Sequence, residues 1–376
     1  MPSPVLFGLK RAPEGYSRLS TKQLHDLTGH NTGNAVFHHA IQLQIGPGVP
    51  VVEWHDGLHH VPLDDSLYVI PCANILGPHC DLGGLAKVCR KIGRPFAAIG
   101  IGSQSGINSE LPSVPEGTID FLRAIAESSF SEAPNISVRG QTTHALVSTL
   151  GLEDRCVILG CPSLFINPEK DLGRIIKTNV SRPNRICILA GHHRWTSLSS
   201  VEQQLTQLIQ PGDTYVCQSP LEMMHAARGE YHRIDEHVQE EISKYSLGHS
   251  DRDKAAAWFT AHSTIFFDAD AWAEEVRKYD FAIGMRIHGI MVALQNGIPA
   301  LCIVHDSRTH ELCEVMKIPY ILASKLPKVS SKDDLLDLFQ FDADEFDSNR
   351  SMLADRYLGY LRSNGLQISK HLEEFT

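Results

Sequence analysis

A chain of 376 residues with 34 basic and 44 acidic side chains, net charge −10, has no basic field with which to hold nucleic acid or an anionic membrane surface. Its 42% hydrophobic and 21% charged content is that of a protein folded throughout, and its length suits two domains of roughly 150 to 200 residues. No apolar run approaches the roughly 18 to 20 residues of a membrane span. The opening MPSPVLFGLKRAPEG carries no charged region ahead of an apolar stretch, so the expected location is cytoplasmic.

Short β-rich apolar runs alternate with helical patterns through the first half. Leu67 to Ile70, Phe96 to Ile101, Ile136 to Val138 and Cys156 to Leu159 read as buried strands. Between them Leu82 to Ile92, Pro115 to Ser128 and Gln141 to Leu150 carry apolar residues at helical spacing. This is the rhythm of a parallel sheet. It breaks at the polar, proline-bearing stretch 167–183, where the domain boundary is placed, and restarts at Ile186 to Ala190. Strands near Thr214 to Cys217, Thr264 to Phe267, Phe281 to Gly284 and Ala300 to Val304 follow, so the fold class is α/β with two Rossmann-like domains. The last segment, Ala343 to Phe375, is helical in pattern and long enough to pack back across both.

Several features invite chemistry that their spacing does not support. The nine cysteines (72, 80, 89, 156, 161, 187, 217, 302, 313) form no Cys-x-x-Cys pair and read as reduced core thiols, Cys161 beside Pro162 included. The 20 histidines include the pairs His38-His39, His59-His60 and His192-His193, yet no ligand spacing appears and no metal is expected. GIGSQSG at 100–106 departs from the dinucleotide fingerprint and runs into a proline-interrupted loop; Gln104 within it is a candidate cleft residue. GHHRW at 191–195 follows the first strand of the second half, so His192, His193 and Trp195 are candidates for contacting a sugar, as against a core tryptophan with surface histidines.

The sharpest local signal is FAIGMRIHGIMVALQNGIP. A strand ends at Gly284, an apolar helix runs to the stop signal Gly297 and Pro299, and Arg286 and His288 fall at the junction. A helix N-terminus already carries about half a positive charge, so cations there ask for an anionic ligand. Ligands also bind beyond the carboxyl ends of parallel strands, where this junction lies. The bland alternative pairs Arg286 with an acid and buries His288 in a core contact. NISVRGQTTHALVSTLG gives Arg139 the same strand-to-helix position in the first half. Arg308 in HDSRTHEL stands at a further strand end, with Asp306 and Glu311 as candidate acceptors of a proton or as helix-start caps.

Through SVRGQTTHALVSTLG (137–151), GCPSLF (160–165) and GMRIHGIMVALQNGIP (284–299), supported by HNTGNAVFHHAI, IPCANILG and IGIGSQ, the chain resembles the polysaccharide pyruvyl transferase family over most of its length. That resemblance implies two Rossmann-like domains facing across a cleft, as in the two-domain (GT-B-like) glycosyltransferases. Residues 1–168 would form the acceptor side, 169–342 the phosphoenolpyruvate side and 343–376 a C-terminal helical segment. It implies transfer of the pyruvyl group of phosphoenolpyruvate to two hydroxyls of a sugar as a cyclic ketal, in surface polysaccharide or glycoconjugate synthesis. Phosphoenolpyruvate is the donor substrate, and the scheme needs neither cofactor nor metal. Arg286, Ile287 and His288 would lie against phosphoenolpyruvate with Arg139 as a second arginine; Arg308 stands where many relatives carry a lysine. His288 is the expected general acid. Two rival readings use the same fold: a nucleotide-sugar glycosyltransferase, for which only Glu311 and Glu314 offer a ribose-binding carboxylate, and a non-catalytic sugar- or phosphate-binding protein. The sugar or glycan acceptor, whether lipid-linked (with peripheral membrane contact), nucleotide-linked or polymeric, and the oligomeric state carry no signal in the sequence.

Overall fold

The structure is a computed structural model that describes residues 3–46, 48–53, 66–107 and 110–375. The described residues form two parallel six-stranded sheets with helices between the strands, an α/β architecture of two domains. The first sheet holds β1 (Ser3–Gly8), β2 (Val51–Glu53), β3 (Ser66–Pro71), β4 (Phe96–Ile101), β5 (Ile136–Val138) and β6 (Cys156–Ile158), in the order β2-β1-β3-β4-β5-β6. The second holds β7 (Ile186–Leu189), β8 (Thr214–Val216), β9 (Ser263–Thr264), β10 (Phe281–Gly284), β11 (Ala300–Val304) and β12 (Tyr320–Leu322). Its order, β12-β11-β10-β7-β8-β9, is the doubly wound 3-2-1-4-5-6 order when counted from β7. The order reverses between β7 and β10, and the crevice at their carboxyl ends is where such sheets bind ligands.

β3, β4, β7, β10 and β11 are buried along their whole length, which is why they read as continuous apolar runs. β9 is shorter than the run Thr264 to Phe267 suggests. Phe266 stacks on Trp272 at 5.5 Å, Phe267 packs with Leu24 and Met224, and Asp268 caps the next helix, so the chain leaves the sheet after Thr264.

The helix Ala343–Ser363 fastens the halves together. Tyr360 donates to the Ala98 and Asn135 carbonyls in the first half (2.9 and 2.8 Å), and Asp347 accepts from the Gly173 amide (2.6 Å). One apolar core accordingly runs from Leu6 and Phe37 through Ile290 and Val304 to Tyr357 and Phe375. No helix among the described residues is long and apolar enough to cross a membrane.

Candidate active site

β10 ends at Gly284 so close to β7 that a Cβ there would lie 2.2 Å from the Leu189 carbonyl oxygen, so only glycine fits. The chain then turns through Met285 into the helix Ile287–Gln295, whose N-cap is Arg286. The Arg286 guanidinium donates to the carbonyls of Ala190 (3.3 Å), Gly191 (3.4 Å) and Ser219 (3.3 Å) and to Ser219 Oγ (2.9 Å), and it covers the Trp195 ring at 4.9 Å. All these partners are neutral; among the described residues Arg286 makes no ion pair. Burial first, then the Arg308 charge, bring its pKa down to about 10 against the opposing influence of Tyr245, Glu202 and Asp306.

Arg139 approaches from the first half, one residue past β5, and is 1% exposed. Its Nε donates to the Gly100 carbonyl (2.9 Å) and its Nη2 to the Cys72 carbonyl (3.3 Å), while Nη1 is buried with no hydrogen-bond partner among the described residues. A Cβ at Gly102 would lie 2.8 Å from Arg139 Cδ, so the GIGSQSG segment serves as the surface along which this arginine passes. Among the described residues Arg139 also makes no ion pair, and burial lowers its pKa, with Arg308 acting in the same direction.

His288, in the first turn of the helix, is 6% exposed and packs on Phe37 at 5.2 Å. Its Nε2 meets Cys161 Sγ at 3.7 Å, and Ser163 Oγ donates to that sulfur at 3.1 Å. Cys161 is buried as its sequence context suggests, but it faces the one imidazole expected to do chemistry. Burial first, then the charges of Arg139 and Arg308, push the His288 pKa well below its ordinary value, so the ligand-free imidazole is neutral. Ile287, 2% exposed, starts the helix and belongs to the core. Arg308 pairs with Asp306 at 3.4 Å, and its charge disfavours positive charge at Arg139, Arg286 and His288 alike.

The acidic candidates are committed elsewhere. Asp306 caps the helix Ser307–Met316 through the Thr309 amide (2.8 Å). Burial raises its pKa, but Arg308, His305 and Thr309 outweigh burial and hold it at about 2. Glu311 reaches from that helix to the N-terminus of the helix Gln141–Thr149, accepting from the Thr143 amide (3.1 Å) and Oγ1 (2.5 Å). Glu314 accepts from the Tyr320 hydroxyl at 2.5 Å. Neither glutamate is a free carboxylate for a ribose.

Gln104 is half-buried and accepts from Asn74 Nδ2; its neighbour Ser105 exchanges hydrogen bonds with Ser307 across the two halves. Trp195 is half-buried, one face given to Arg286 and its ring 4.3 Å from His305. His192 lies 5.3 Å from Trp195, and burial together with Arg286 brings its pKa to about 3. His193 is 2% exposed, and both its ring nitrogens lack a hydrogen-bond partner among the described residues. His38 accepts from the Leu9 amide and His39 contacts Asp270 at 3.0 Å, while His59 and His60 lie outside the described residues. All nine cysteines are free thiols, and His25, Asp26 and His30 form the one His/Cys/Asp/Glu cluster of metal-binding dimensions among the described residues. Its two histidine rings are stacked at 15°, His25 Nδ1 and His30 Nε2 both face Asp26 Oδ1 (3.4 and 3.7 Å), and Lys22 also holds Asp26.

Sequence reasoning missed the groups that build the second half of the site. Glu202, fully buried, accepts from the Gly191 amide (3.1 Å), from Tyr245 (3.2 Å) and from Tyr215, and so fixes the backbone whose carbonyls hold Arg286. Ser219 binds Arg286 directly; Thr32 joins the halves by donating its amide to the Gln218 carbonyl (3.1 Å). These residues come from separate parts of the chain, Glu202 from the helix Ser199–Thr206 and Thr32 and Ser219 from loops, and carry no local motif, although HNTGNAVFHHAI contains Thr32 and Phe37.

A model of the family described as polysaccharide pyruvyl transferase matches residues 10–307 of the chain. Among solved structures, one described as "OtsA apo structure" is similar over 88% of this chain and 74% of that chain, with a TM-score of 0.41 and 10% identity. No curated protein matches.

Proposed function

The chain belongs to the polysaccharide pyruvyl transferase family, and from that premise we propose that it transfers the pyruvyl group of phosphoenolpyruvate to two hydroxyls of one sugar as a cyclic ketal, releasing phosphate. The observation that carries this reading is the pair of buried arginines, Arg286 and Arg139, that make no ion pair among the described residues, the first capping the helix that carries His288 and the second acting electrostatically on that histidine. A buried cation without a counter-ion is costly, and a small ligand bearing a phosphate and a carboxylate relieves the cost at both residues.

In this scheme Arg286 and Arg308 from residues 169–342 hold the donor, Arg139 contributes across the cleft, and residues 1–168 face the sugar. Donor binding brings negative charge to His288 and reverses the electrostatics that keep it neutral, so it takes up a proton. It delivers that proton to the methylene carbon, C2 becomes electrophilic, and the first sugar hydroxyl adds there. Phosphate then leaves and the second hydroxyl closes the ketal. Of the two sugar protons released, one restores His288 and the other departs with phosphate. The arginines bind the charge that moves to the leaving group, a role of position and electrostatics.

The test is calorimetric or thermal-shift titration with phosphoenolpyruvate and a panel of nucleotide sugars, on wild type and Arg286→Ala. Selective stabilisation by phosphoenolpyruvate, lost in the variant, is the expected result. Stabilisation by a nucleotide sugar alone overturns the proposal in favour of glycosyl transfer. His288→Gln is expected to retain donor binding and lose turnover.

A further inference from the structure

The strand order of the first sheet, β2-β1-β3-β4-β5-β6, reverses at β1, so this sheet has a crevice of its own at the carboxyl ends of β1 and β3. A cavity of about 670 Å³ lies there, bounded by Phe7 near the end of β1, by Ile70 and Pro71 at the end of β3, and by Leu82, Leu85 and Val88 along the helix Gly83–Ile92. That helix presents two apolar strips. Ala86, Cys89 and Ile92 are buried in the core, whereas Leu82, Leu85 and Val88 stay half-buried at its edge. Partly exposed apolar side chains gathered around a cavity of small-ligand size mark a binding groove.

The lining decides the chemistry. Among the described residues it holds no charged side chain, and its one side-chain amide, Asn34, is committed to the carbonyls of Thr28 (3.0 Å) and Gly29 (3.1 Å). A phosphate or a sugar ring would give up water there for few partners, whereas hydrocarbon would cover apolar surface now left to water. The cavity also adjoins the Arg139–His288 site at two points. Cys72 in its wall accepts from Arg139 Nη2 through its carbonyl (3.3 Å), and Asn34, also in the wall, begins the helix Asn34–Ile45 that carries Phe37, the ring on which His288 packs. A sugar beside the donor and a hydrocarbon in the cavity would thus be neighbours, with no charged side chain in the wall to meet a diphosphate between them.

We propose that this cavity takes a hydrocarbon group, alkyl or acyl, borne directly on the acceptor sugar, so that the enzyme selects a sugar with an apolar substituent over a bare one. The sugar rests on the pyruvyl transferase reading; the apolar substituent rests on the cavity alone. Two wall residues make the site testable. Gly84 is exposed, and a Cβ there meets nothing within 4 Å, so a large side chain can close the opening without disturbing the core. Cys80 is the one cysteine of the nine that is not buried, and its thiol reports whether the cavity is filled.

The experiment is titration of the full chain with matched octyl and methyl glycosides of glucose, galactose and mannose, kept below micelle-forming concentrations, and with a short-chain lipid diphosphate sugar. It is run on wild type, Gly84→Phe and Val88→Asp, alongside maleimide labelling of Cys80 followed by peptide mass spectrometry. The expected result is an octyl glycoside that binds wild type at least about tenfold more tightly than its methyl partner and slows the labelling of Cys80 severalfold. That advantage should disappear in both variants, while phosphoenolpyruvate binds all three proteins alike and so shows that they are folded. Equal binding of octyl and methyl partners in every pair overturns the proposal, as does an octyl preference that survives Gly84→Phe or leaves Cys80 labelling unchanged. Tighter binding of the lipid diphosphate sugar than of every octyl glycoside overturns the direct attachment. Phosphoenolpyruvate that binds none of the three proteins defeats the pyruvyl transferase reading instead, and an octyl preference with Cys80 protection then still assigns the cavity to apolar glycosides.

Discussion

Arg139, Arg286 and His288 were legible because each sits where a strand hands over to a helix, a position that local sequence pattern exposes. The protonation state of His288 was not, because it depends on burial and on two arginines distant in sequence. Its depressed pKa predicts that donor binding takes up a proton. Calorimetry at pH 7.5, about a unit above a free histidine's pKa, in buffers of different ionisation enthalpy should show buffer-dependent heat in wild type. The dependence should shrink in His288→Gln, and heat that is the same in every buffer for both proteins removes the general-acid role. The same shift has a stability consequence. His288 and His38, the latter lowered by burial to about 3, stay neutral in the folded chain while the unfolded chain protonates them below pH 6.5. The unfolded state therefore binds more protons, and stability falls as pH drops from about 6.5 towards 4, each histidine contributing up to about 1.4 kcal/mol per pH unit. Urea denaturation between pH 7 and 5 should show this fall, and His38→Phe should reduce its slope.

At the scale of elements, the buried strands were readable as apolar runs, but sheet order was not, since β7 lies beside β10 through pairing of residues about a hundred positions apart. Nor was Glu202, whose effect on Arg286 passes through the Gly191 backbone. The helix Ile287–Gln295 was recognised by its apolar character, and its seating depends on a contact the sequence hides. A Cβ at Gly289 would lie 1.7 Å from Leu189 Cδ1 at the end of β7. Gly289→Ala should therefore displace the helix, costing about 2 kcal/mol of stability and weakening donor binding. Leu189→Ala should recover part of both losses if the clash is the cause; a double variant no better than Gly289→Ala alone shows that it is not. The Glu311 carboxylate, read from sequence as a candidate proton acceptor or helix-start cap, in fact caps the helix Gln141–Thr149 from the opposite half. Glu311→Ala should lose about 2 kcal/mol in denaturant unfolding because it leaves the Thr143 amide and hydroxyl without their acceptor.

Across the whole molecule, two Rossmann-like halves would ordinarily be free to move about a linker, yet here the chain after the first sheet is held on both sides by the C-terminal helix. Arg350 in that helix is fully buried. Its guanidinium donates to the Leu164 carbonyl (3.0 Å) and to the carbonyls of Asn167 and Glu169, and lies 4.3 Å from the centre of the Phe375 ring. One arginine thus ties three carbonyls of the crossing segment to a helix whose Tyr360 grips β4 and the residue before β5. Because the apolar core is shared between the first sheet, the second sheet and this helix, the halves should unfold together as one calorimetric transition. Arg350→Met fills much of the same space but leaves those carbonyls without donors, and about 3 kcal/mol should be lost. A single transition at lower temperature is the expected trace. Two separated transitions in the wild type would mean that the shared core contributes little to coupling, and that closure of the cleft around Arg139 and Arg286 is governed by the donor and not by the fold.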